Sequence, residues 1–438
     1  MSSTVAPKRS KLATWSWALW DWAEQPYPTI MQTFIFPVYL TSAVAAGIQN
    51  ADQQLGWATA IAGLLLAVMA PVMGRRSDQN GRRKLWLLIN TGILIAVTAS
   101  SFFIEPKPEY FLFGLVLYGI GSVIQESAFI NYYAMLKGVT TEKNIGKVSG
   151  LAWGLGYVGG IILLLISLVG FVLPEHPLLG IVKENGLNIR TIFLFSAAWI
   201  LIFTIPLLLW VPEIEKRAGA KNESILESYR SLFRELGTLR RQAPETFKFL
   251  ISSAIYRDGL AGIFTFGAVL GTLAFGFTTT SIIFYGIGAN VVAAIGAAIG
   301  GWLDDKVGSR AVILGSLIGL IAGAIAVFFL RDLGQITFWV FGLLLTLFVG
   351  PAQASSRTFV ARFTPHGREG EVFGLYQTTG RAVSFLSGTM WALSISVANA
   401  LHGHGENTIY GIWGIVIILI VGTYLLTRVH PKPAVLDN

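Results

Sequence analysis

The sequence predicts an all-α membrane protein in which twelve transmembrane helices form two pseudo-symmetric six-helix bundles. Three observations predict this fold class. The 438 residues are 53% hydrophobic and only 13% charged, against roughly 25% charged in an average soluble domain. The apolar residues form stretches of about 20 or more, the length at which a helix crosses a bilayer. A basic sequence around Asp78 recurs in weaker form around Asp305, which indicates a duplicated chain.

The apolar stretches give six candidate spans in each half of the chain. In the first half they are 15–47, 55–74, 85–104, 109–136, 145–173 and 190–212. In the second half they are 246–276, 279–303, 310–330, 335–363, 370–398 and 406–428. We therefore expect an N-terminal bundle over 1–212 and a C-terminal bundle over 246–438. The intervening segment 213–245 is polar with apolar residues at helical spacing, which predicts an amphipathic linker on the membrane surface.

The basic residues predict the orientation of the chain in the membrane. Of the 32 Lys and Arg residues, 25 lie in the connections on the side of the N-terminus, 4 lie on the other side and 3 lie inside spans. Cytoplasmic connections carry the excess of positive charge in membrane proteins. We expect a multi-pass protein of the plasma (inner) membrane with both termini in the cytoplasm. This bias accounts for the net charge of +8, so no nucleic-acid partner is expected.

Several classes of chemistry are excluded by what the chain contains. It has no cysteine, and its five histidines do not follow metal-ligand spacing. No nucleophile–base arrangement, phosphate-binding loop or nucleotide fingerprint is present. We expect no enzyme, no cofactor and no metal site. Because the sequence shows no ATPase module, any transport by such a protein would take its energy from an ion or substrate gradient.

The basic sequence from Gly74 to Lys84 predicts a gate at the cytoplasmic side. Asp78 is expected to meet a helix N-terminus or an arginine of a neighbouring helix and so to hold that side shut. Gly81 supplies the tight turn, and Arg82 and Arg83 are expected to anchor the turn to lipid phosphates.

A second internal match supports the duplication. Gly146-Lys147-Val148-Ser149-Gly150-Leu151 is similar to Gly370-Glu371-Val372-Phe373-Gly374-Leu375, at nearly the same offset as the first repeat. Both segments begin a span that enters from the cytoplasm, where small residues allow helices to approach closely. Asp305, in the weaker repeat, is expected to have a gating role like that of Asp78.

Charges inside spans are costly, at about 2.5–3.5 kcal/mol each at the bilayer centre, and so they mark candidate functional residues. For substrate binding or coupling the candidates are Asp21, Glu24, Tyr27, Glu126, Arg257, Asp258 and Arg381. Asp21 and Glu24 share a helix face, and two like charges in an apolar site favour proton uptake by one of them. The alternative is that both carboxylates pair with arginines and only hold helices together.

Local sequence refines these expectations. Pro26 and Pro28 should break the first helix and free carbonyl groups near Trp22 and Glu24 for a ligand. Arg257 and Asp258 are adjacent, so one should face the cavity and the other a neighbouring helix.

The two arginines nearest the bilayer centre, Arg257 and Arg381, are candidates for binding a substrate carboxylate or phosphate. Interhelical salt bridges are the alternative for both. Asp258 is expected to be a coupling or gating carboxylate. Arg357 lies nearer the inner end of its span and is expected to be a gate residue.

The chain resembles the major facilitator superfamily. Gly74 to Arg83 fits that superfamily's loop pattern G-x-x-x-D-x-x-G-R-K/R. Further segments resemble its vacuole-effluxer-like branch, which is related to autophagy-associated amino-acid effluxers; these segments are 17–23, 33–37, 150–160, 256–259, 350–357 and 373–376. The resemblance implies alternating access around a cavity lined by helices 1, 4, 7 and 10, and relatives are associated with export of neutral amino acids from vacuoles. Glu126 departs from the arginine that many proton antiporters carry on the fourth helix.

Together these features predict a secondary active transporter of a small polar or amphipathic solute, with an amino-acid-like solute favoured. Coupling to protons, or to another ion, through Glu24, Glu126 or Asp258 is a hypothesis that follows from their predicted depth. Membrane lipids are the expected surroundings, and a monomer is the expected state. Two alternatives stay open, a lipid or glycolipid exporter of the same fold and a non-transporting membrane receptor or assembly factor.

Overall fold

The computed structural model describes residues 10–48, 51–175, 177–213, 237, 240–241, 243–277, 279–364, 368–403 and 407–430. Within these ranges the chain forms helices and turns without a β-strand, as the sequence predicts. The first six helical segments are α1 Lys11–Glu24, α2 Ala51–Asn80, α3 Arg83–Ser100, α4 Phe111–Ala134, α5 Ile145–Ser167 and α6 Leu187–Trp210. The last six are α7 Pro244–Leu273, α8 Thr279–Val307, α9 Ser309–Phe329, α10 Leu343–Phe363, α11 in two parts, Glu369–Ala382 and Leu386–His402, and α12 Gly411–Thr427.

Most of these segments are able to cross a membrane. Among the described residues, nine helices are long and apolar enough, and a bent α2 makes ten if Trp57–Ala70 and Val72–Asn80 count as one span. Two of the twelve segments are not among these ten. They are α1, which is interrupted, and α7, which carries Arg257 and Asp258. Large apolar side chains such as Leu64, Leu112 and Ile336 point outward and are exposed, as in a protein surrounded by lipid.

The predicted break in the first helix is confirmed. Regular α-helix ends at Glu24, and after Pro26 the chain continues in wider π-helical turns over Tyr27–Phe34 and Tyr39–Val44. Proline lacks an N–H and crowds the preceding turn, which explains the change of winding. The expectation that the Trp22 carbonyl faces a ligand is wrong, because the indole Nε1 of Trp199 on α6 donates to it at 3.1 Å.

Much of the predicted gate sequence, Gly74 to Lys84, forms helix where the sequence predicts a loop. Helix α2 continues to Asn80, six residues beyond the predicted end of its span, and α3 begins at Arg83. Between them Gly81 has φ +61°, a conformation that glycine adopts without strain and that explains the tight turn. Asp78 and, in the second half, Asp305 thus lie on the last turns of α2 and α8 and not in loops.

The first half (α1–α6) and the second half (α7–α12) meet along two helix pairs, α2 with α11 and α5 with α8. Glycines permit this contact: a Cβ on Gly74 would lie 2.0 Å from the carbonyl oxygen of Gly370, and one on Gly301 would lie 2.5 Å from that of Gly146. We call the end of the molecule where these four glycines meet the basic end.

The predicted linker 213–245 lies largely outside the described residues, including its predicted amphipathic face. Its described ends are both attached at the basic end. Glu213 accepts hydrogen bonds from the backbone N–H groups of Lys84 at 2.8 Å and Leu85 at 3.1 Å, in the first turn of α3. Glu245 accepts one from the backbone N–H of His430, just after α12.

Candidate functional site

A cavity of about 280 Å³ lies between the two halves. Its charged lining is Glu126 on α4, Arg257 and Asp258 on α7, Arg357 on α10 and Arg381 on α11. Aromatic rings and amides complete the wall: Phe129, Tyr133, Trp153, Tyr376, Gln353 and Gln377. The structure thus brings together five of the charged residues singled out from the sequence. Helix α1 contributes none of the described lining, whereas α5 and α11 do, which corrects the expectation of helices 1, 4, 7 and 10.

A chain of polar contacts crosses this cavity from one half to the other. Glu126 uses both carboxylate oxygens on α11: Oε1 pairs with Arg381, and Oε2 accepts from Gln377 Nε2 at 2.6 Å. Gln377 Oε1 in turn accepts from Arg257 Nη2 at 2.9 Å. An arginine only donates and an ionised glutamate only accepts, so an amide is suited to link them. Gln377 was not among the residues singled out from the sequence. The one sequence feature that points to it is its position four residues, about one helical turn, before Arg381.

Arg257 and Arg381, two of the three arginines that line the cavity, differ in how many of their N–H donors have partners among the described residues. Arg257 lies 3.8 Å over the ring of Tyr376 and donates to that residue's carbonyl at 3.0 Å as well as to Gln377. Arg381 uses only Nη2 among the described residues, and its side chain is 36% exposed to the cavity. Arg381 is therefore better placed to take a ligand.

Asp258 contacts both the cavity and a neighbouring helix. It lines the cavity beside Arg257, so the expectation that only one of the two faces it is wrong. Its carboxylate also accepts from the backbone N–H of Ser387 at 2.6 Å and from the hydroxyl of that serine at 3.3 Å. These bonds cap the second part of α11 at its first turn, where the N–H groups lack helical partners.

Three of the expected substrate or coupling residues on the first helix lie behind the cavity wall. Tyr27 is fully buried, and its hydroxyl donates to the carbonyl of Tyr118 at 3.2 Å. Glu24 is 1% exposed and accepts from Gln125 through Oε1, while Oε2 has no partner among the described residues. Asp21 pairs with Arg357 across the two halves at 3.1 Å, as the alternative interpretation stated.

Arg357 is fully enclosed where α10 meets the first half. Besides Asp21, its guanidinium donates to Ser149, to Oγ at 2.9 Å and to the carbonyl oxygen at 2.6 Å. Four aromatic rings surround it, with centroids 5.2–5.6 Å from Cζ; these are Trp17, Tyr132, Tyr133 and Trp153. Rings within about 6 Å attract a cation through their π faces. Arg357 therefore holds the two halves together on the side of the cavity that faces the basic end.

At the basic end, Asp78 makes both contacts predicted for it. Its two carboxylate oxygens accept from the backbone N–H groups of Gly370 at 2.9 Å and Glu371 at 2.8 Å, at the start of α11. It also pairs with Arg83, whose Nε lies 2.8 Å from Oδ1. Arg83 is buried and also bridges to Glu369 at 2.8 Å. The expectation that Arg83 binds lipid phosphates is therefore wrong, whereas Arg82 is exposed.

Asp305 repeats this arrangement in the other half. Its carboxylate accepts from the backbone N–H groups of Gly146 and Lys147, both at 2.7 Å, at the start of α5. Arg362 on α10 pairs with Asp305 at 2.8 Å and with the adjacent Asp304. An anion is favourable at a helix N-terminus, where backbone N–H groups lack partners. Each half thus presents a carboxylate to a helix N-terminus of the other half.

A lysine adds a further contact between the halves at this end. Lys137, just after α4, donates to the carbonyl oxygen of Thr364 at the end of α10, at 2.7 Å. Burial lowers the pKa of Lys137, and the carboxylates of Glu369 and Glu142 oppose that effect. A cation is favoured at a helix C-terminus, where carbonyl groups lack partners. The halves are therefore in contact across the whole basic end.

Comparisons with known proteins agree on one family. The family described as "Vacuole effluxer Atg22 like" matches residues 55–434. An uncharacterised MFS-type transporter, YxiO of Bacillus subtilis (strain 168), is 29% identical over 420 residues, which cover 94% of each chain.

Solved structures of major facilitator superfamily (MFS) proteins share the fold. The proton:xylose symporter XylE bound to 6-bromo-6-deoxy-D-glucose superposes with a TM-score of 0.71 at 13% identity, covering 96% of this chain and 94% of that one. FucP in the outward conformation gives 0.67 at 13% identity, covering 96% and 99%. Members of this superfamily are multi-pass membrane transporters of small molecules and not enzymes. The chain belongs to the Atg22-like vacuole effluxer family, and it is a secondary transporter of the major facilitator superfamily.

Proposed function

We propose that this transporter moves an amino-acid-like zwitterion across the plasma membrane by alternating access, with proton coupling. Bundles 1–212 and 246–438, joined by the linker 213–245, rock about the cavity, and both termini face the cytoplasm, so that the basic end is the cytoplasmic end. The description of the family as an effluxer family supports transport of a solute out of a compartment. The protein acts as a monomer in this proposal.

The observation that carries the proposal is the mixed charge of the cavity. Three guanidinium groups, those of Arg257, Arg357 and Arg381, and two carboxylates, those of Glu126 and Asp258, line one volume of about 280 Å³. A zwitterion offers a carboxylate for an arginine and an ammonium group for an acidic side chain. Arg381, with free donors toward the cavity, is the residue we assign to the substrate carboxylate. Tyr133, Trp153 and Tyr376 supply apolar surface for a side chain.

Proton coupling is assigned first to Glu24. No described arginine or lysine pairs with it, and it is nearly inaccessible to solvent. Burying an unpaired carboxylate is costly, and uptake of a proton removes that cost. Glu126 and Asp258, by contrast, have partners for both carboxylate oxygens.

The alternatives are less consistent with these contacts. A receptor or assembly factor predicts that buried charges are all mutually paired, and among the described residues Glu24 pairs with no cation. A lipid or glycolipid exporter requires a large apolar cavity, whereas five charged side chains line this one.

Purified protein in liposomes tests the proposal. We expect accumulation of L-leucine that depends on a pH gradient, with L-leucinamide, which lacks the carboxylate, failing to compete. Glu24→Gln should abolish the response to the gradient while exchange of internal for external leucine persists. Glu109→Gln, an exposed glutamate before α4, is the matched control. Gradient-driven transport that survives neutralisation of Glu24, Glu126 and Asp258 together would contradict the coupling.

A further inference from the structure

The described residues that accept hydrogen bonds from the Arg357 side chain or present a ring to its guanidinium belong to the first half of the chain. Asp21 and Trp17 lie on α1, Tyr132 and Tyr133 on α4, and Ser149 and Trp153 on α5. We call this set the cage. Arg357 itself comes from α10, in the second half. The first half thus supplies the binding groups of the cage, and the second half supplies the cation that occupies it.

The cage has the chemistry of an organic-cation site. A carboxylate lies 3.1 Å from the guanidinium, a serine accepts two hydrogen bonds from it, and four π faces surround it. Aromatic faces with an anion bind guanidinium and alkylammonium groups in preference to neutral solutes. In addition, Trp153 Nε1 is buried with no hydrogen-bond partner among the described residues, so an acceptor elsewhere on a ligand, outside its cationic group, has a donor available.

The cage also adjoins the cavity. Tyr133 and Trp153 belong to the cage and also line the cavity, and Arg357, which fills the cage, lines the cavity as well. A solute in the cavity therefore reaches the cage without crossing another layer of side chains once Arg357 has moved away.

We propose that the cage is a second binding site, for an external organic cation, which Arg357 occupies while the basic end is closed. The inference rests on the alternating access of the proposed function. When the halves separate at the basic end, α10 carries Arg357 out and leaves Asp21 and four aromatic rings facing the opening. A guanidinium or alkylammonium group entering from that side replaces the lost contacts. Such a ligand binds only the open state and so shifts the population toward it.

Chemical rescue of Arg357→Ala tests the site directly. Methylguanidine, which has the lost group, should raise the melting temperature of the purified variant saturably, by about 1–2 °C at ten times its dissociation constant. Methylurea, a neutral molecule of the same shape, should have no effect, and the additional change Asp21→Asn should abolish the response. Equal effects of methylguanidine and methylurea, or no saturable shift, would overturn the proposal.

Arg362→Ala is the matched control. Arg362 is on the same helix five residues later and pairs with Asp304 and Asp305, but no described aromatic ring stacks on its guanidinium. We expect little response of this variant to methylguanidine. Equal rescue of both variants would mean that any vacated carboxylate suffices and that the cage is not a distinct site.

A second measurement keeps the test valid if Arg357→Ala does not fold. The chain has no cysteine, so Ser77→Cys adds a single thiol, 1% exposed in the native serine, where α2 meets the start of α11. In detergent, methylguanidine should raise the rate of maleimide labelling at this thiol several-fold, and methylurea should not. An unchanged rate would overturn the proposal. Neither measurement requires transport, so a failure of leucine transport and a failure of the cage are separate results.

Discussion

Replacing Gly150 by alanine tests whether backbone contact between α5 and α8 holds the basic end closed. A Cβ at this position would lie 2.3 Å from the carbonyl oxygen of Ala297 and 2.7 Å from the Cα of Gly301. Both are backbone atoms, which cannot rotate away as a side chain does. Ordinary contact begins near 3.4 Å, so the two helices must move apart by about 1 Å at this point.

The size of the effect of Gly150→Ala on the closed state follows from the hydrogen bonds one helical turn away from Gly150. Asp305 holds the N–H groups of Gly146 and Lys147 at 2.7 Å each. A separation of about 1 Å takes both beyond hydrogen-bond range. Hydrogen bonds to a charged group contribute about 1.5–3 kcal/mol each, so losing both raises the free energy of the closed state by at least about 3 kcal/mol. Since about 1.4 kcal/mol is a factor of ten, the closed-to-open ratio should fall by about two orders of magnitude.

Labelling of Ser77→Cys, on the other helix pair, measures this change. In the Gly150→Ala background the thiol should react with maleimide about 100-fold faster, up to the rate of an exposed cysteine. Gly154→Ala is the control, because it is one turn along the same helix and its Cβ would meet Ala294 at 3.2 Å, which a small adjustment relieves. Equal labelling in the two variants, or slower labelling with Gly150→Ala, would refute the reasoning.

Two further predictions concern buried contacts of the first half. Asp78→Asn removes one of the two carboxylates that pair with the buried Arg83 and leaves Glu369 as the other, so the loss should stay below about 3–5 kcal/mol, the cost of a buried charge left without a partner. Circular dichroism should show a lower melting temperature, and an unchanged value would contradict the pairing. Gly121→Ala would place a Cβ 2.0 Å from the hydroxyl oxygen of Tyr27, and such overpacking costs about 1–3 kcal/mol. Gly119→Ala, whose nearest atom would be 4.0 Å away, should melt like the wild type, and equal melting of both variants would exclude the clash.

The contacts of Asp78 could be predicted from the sequence because they depend on local chemistry. A carboxylate at the end of one span, followed by a glycine turn and an arginine, has few partners other than that arginine and a nearby helix N-terminus. The break of α1 at Pro26 was predictable for the same reason, since proline acts on its own turn of helix. The duplication then extended the prediction from Asp78 to Asp305.

Contacts between distant segments were not predictable in this way. The sequence marked Arg357 as a gate residue, but four rings from three helices meet around it only after the halves have packed. Gln377 carries no charge, so its cost inside a membrane did not single it out. Arg83 was assigned to lipid because it is basic and close to the membrane surface, and only the position of Glu369 on α11 explains its burial.

Across the interface between the two halves, Asp78 and Asp305 bind main-chain N–H groups. Lys147 and Glu371, of opposite charge, therefore provide the same contact in the two halves. Glu371 is buried, and its side chain also pairs with Arg368. Position 147, whose side chain is exposed, is free to change by mutation without loss of these hydrogen bonds. The neighbouring positions are not, because a Cβ on Gly146 or Gly370 would collide with Asp304 or Asp78. The two halves of a duplicated gene can thus diverge in charge while still closing on each other.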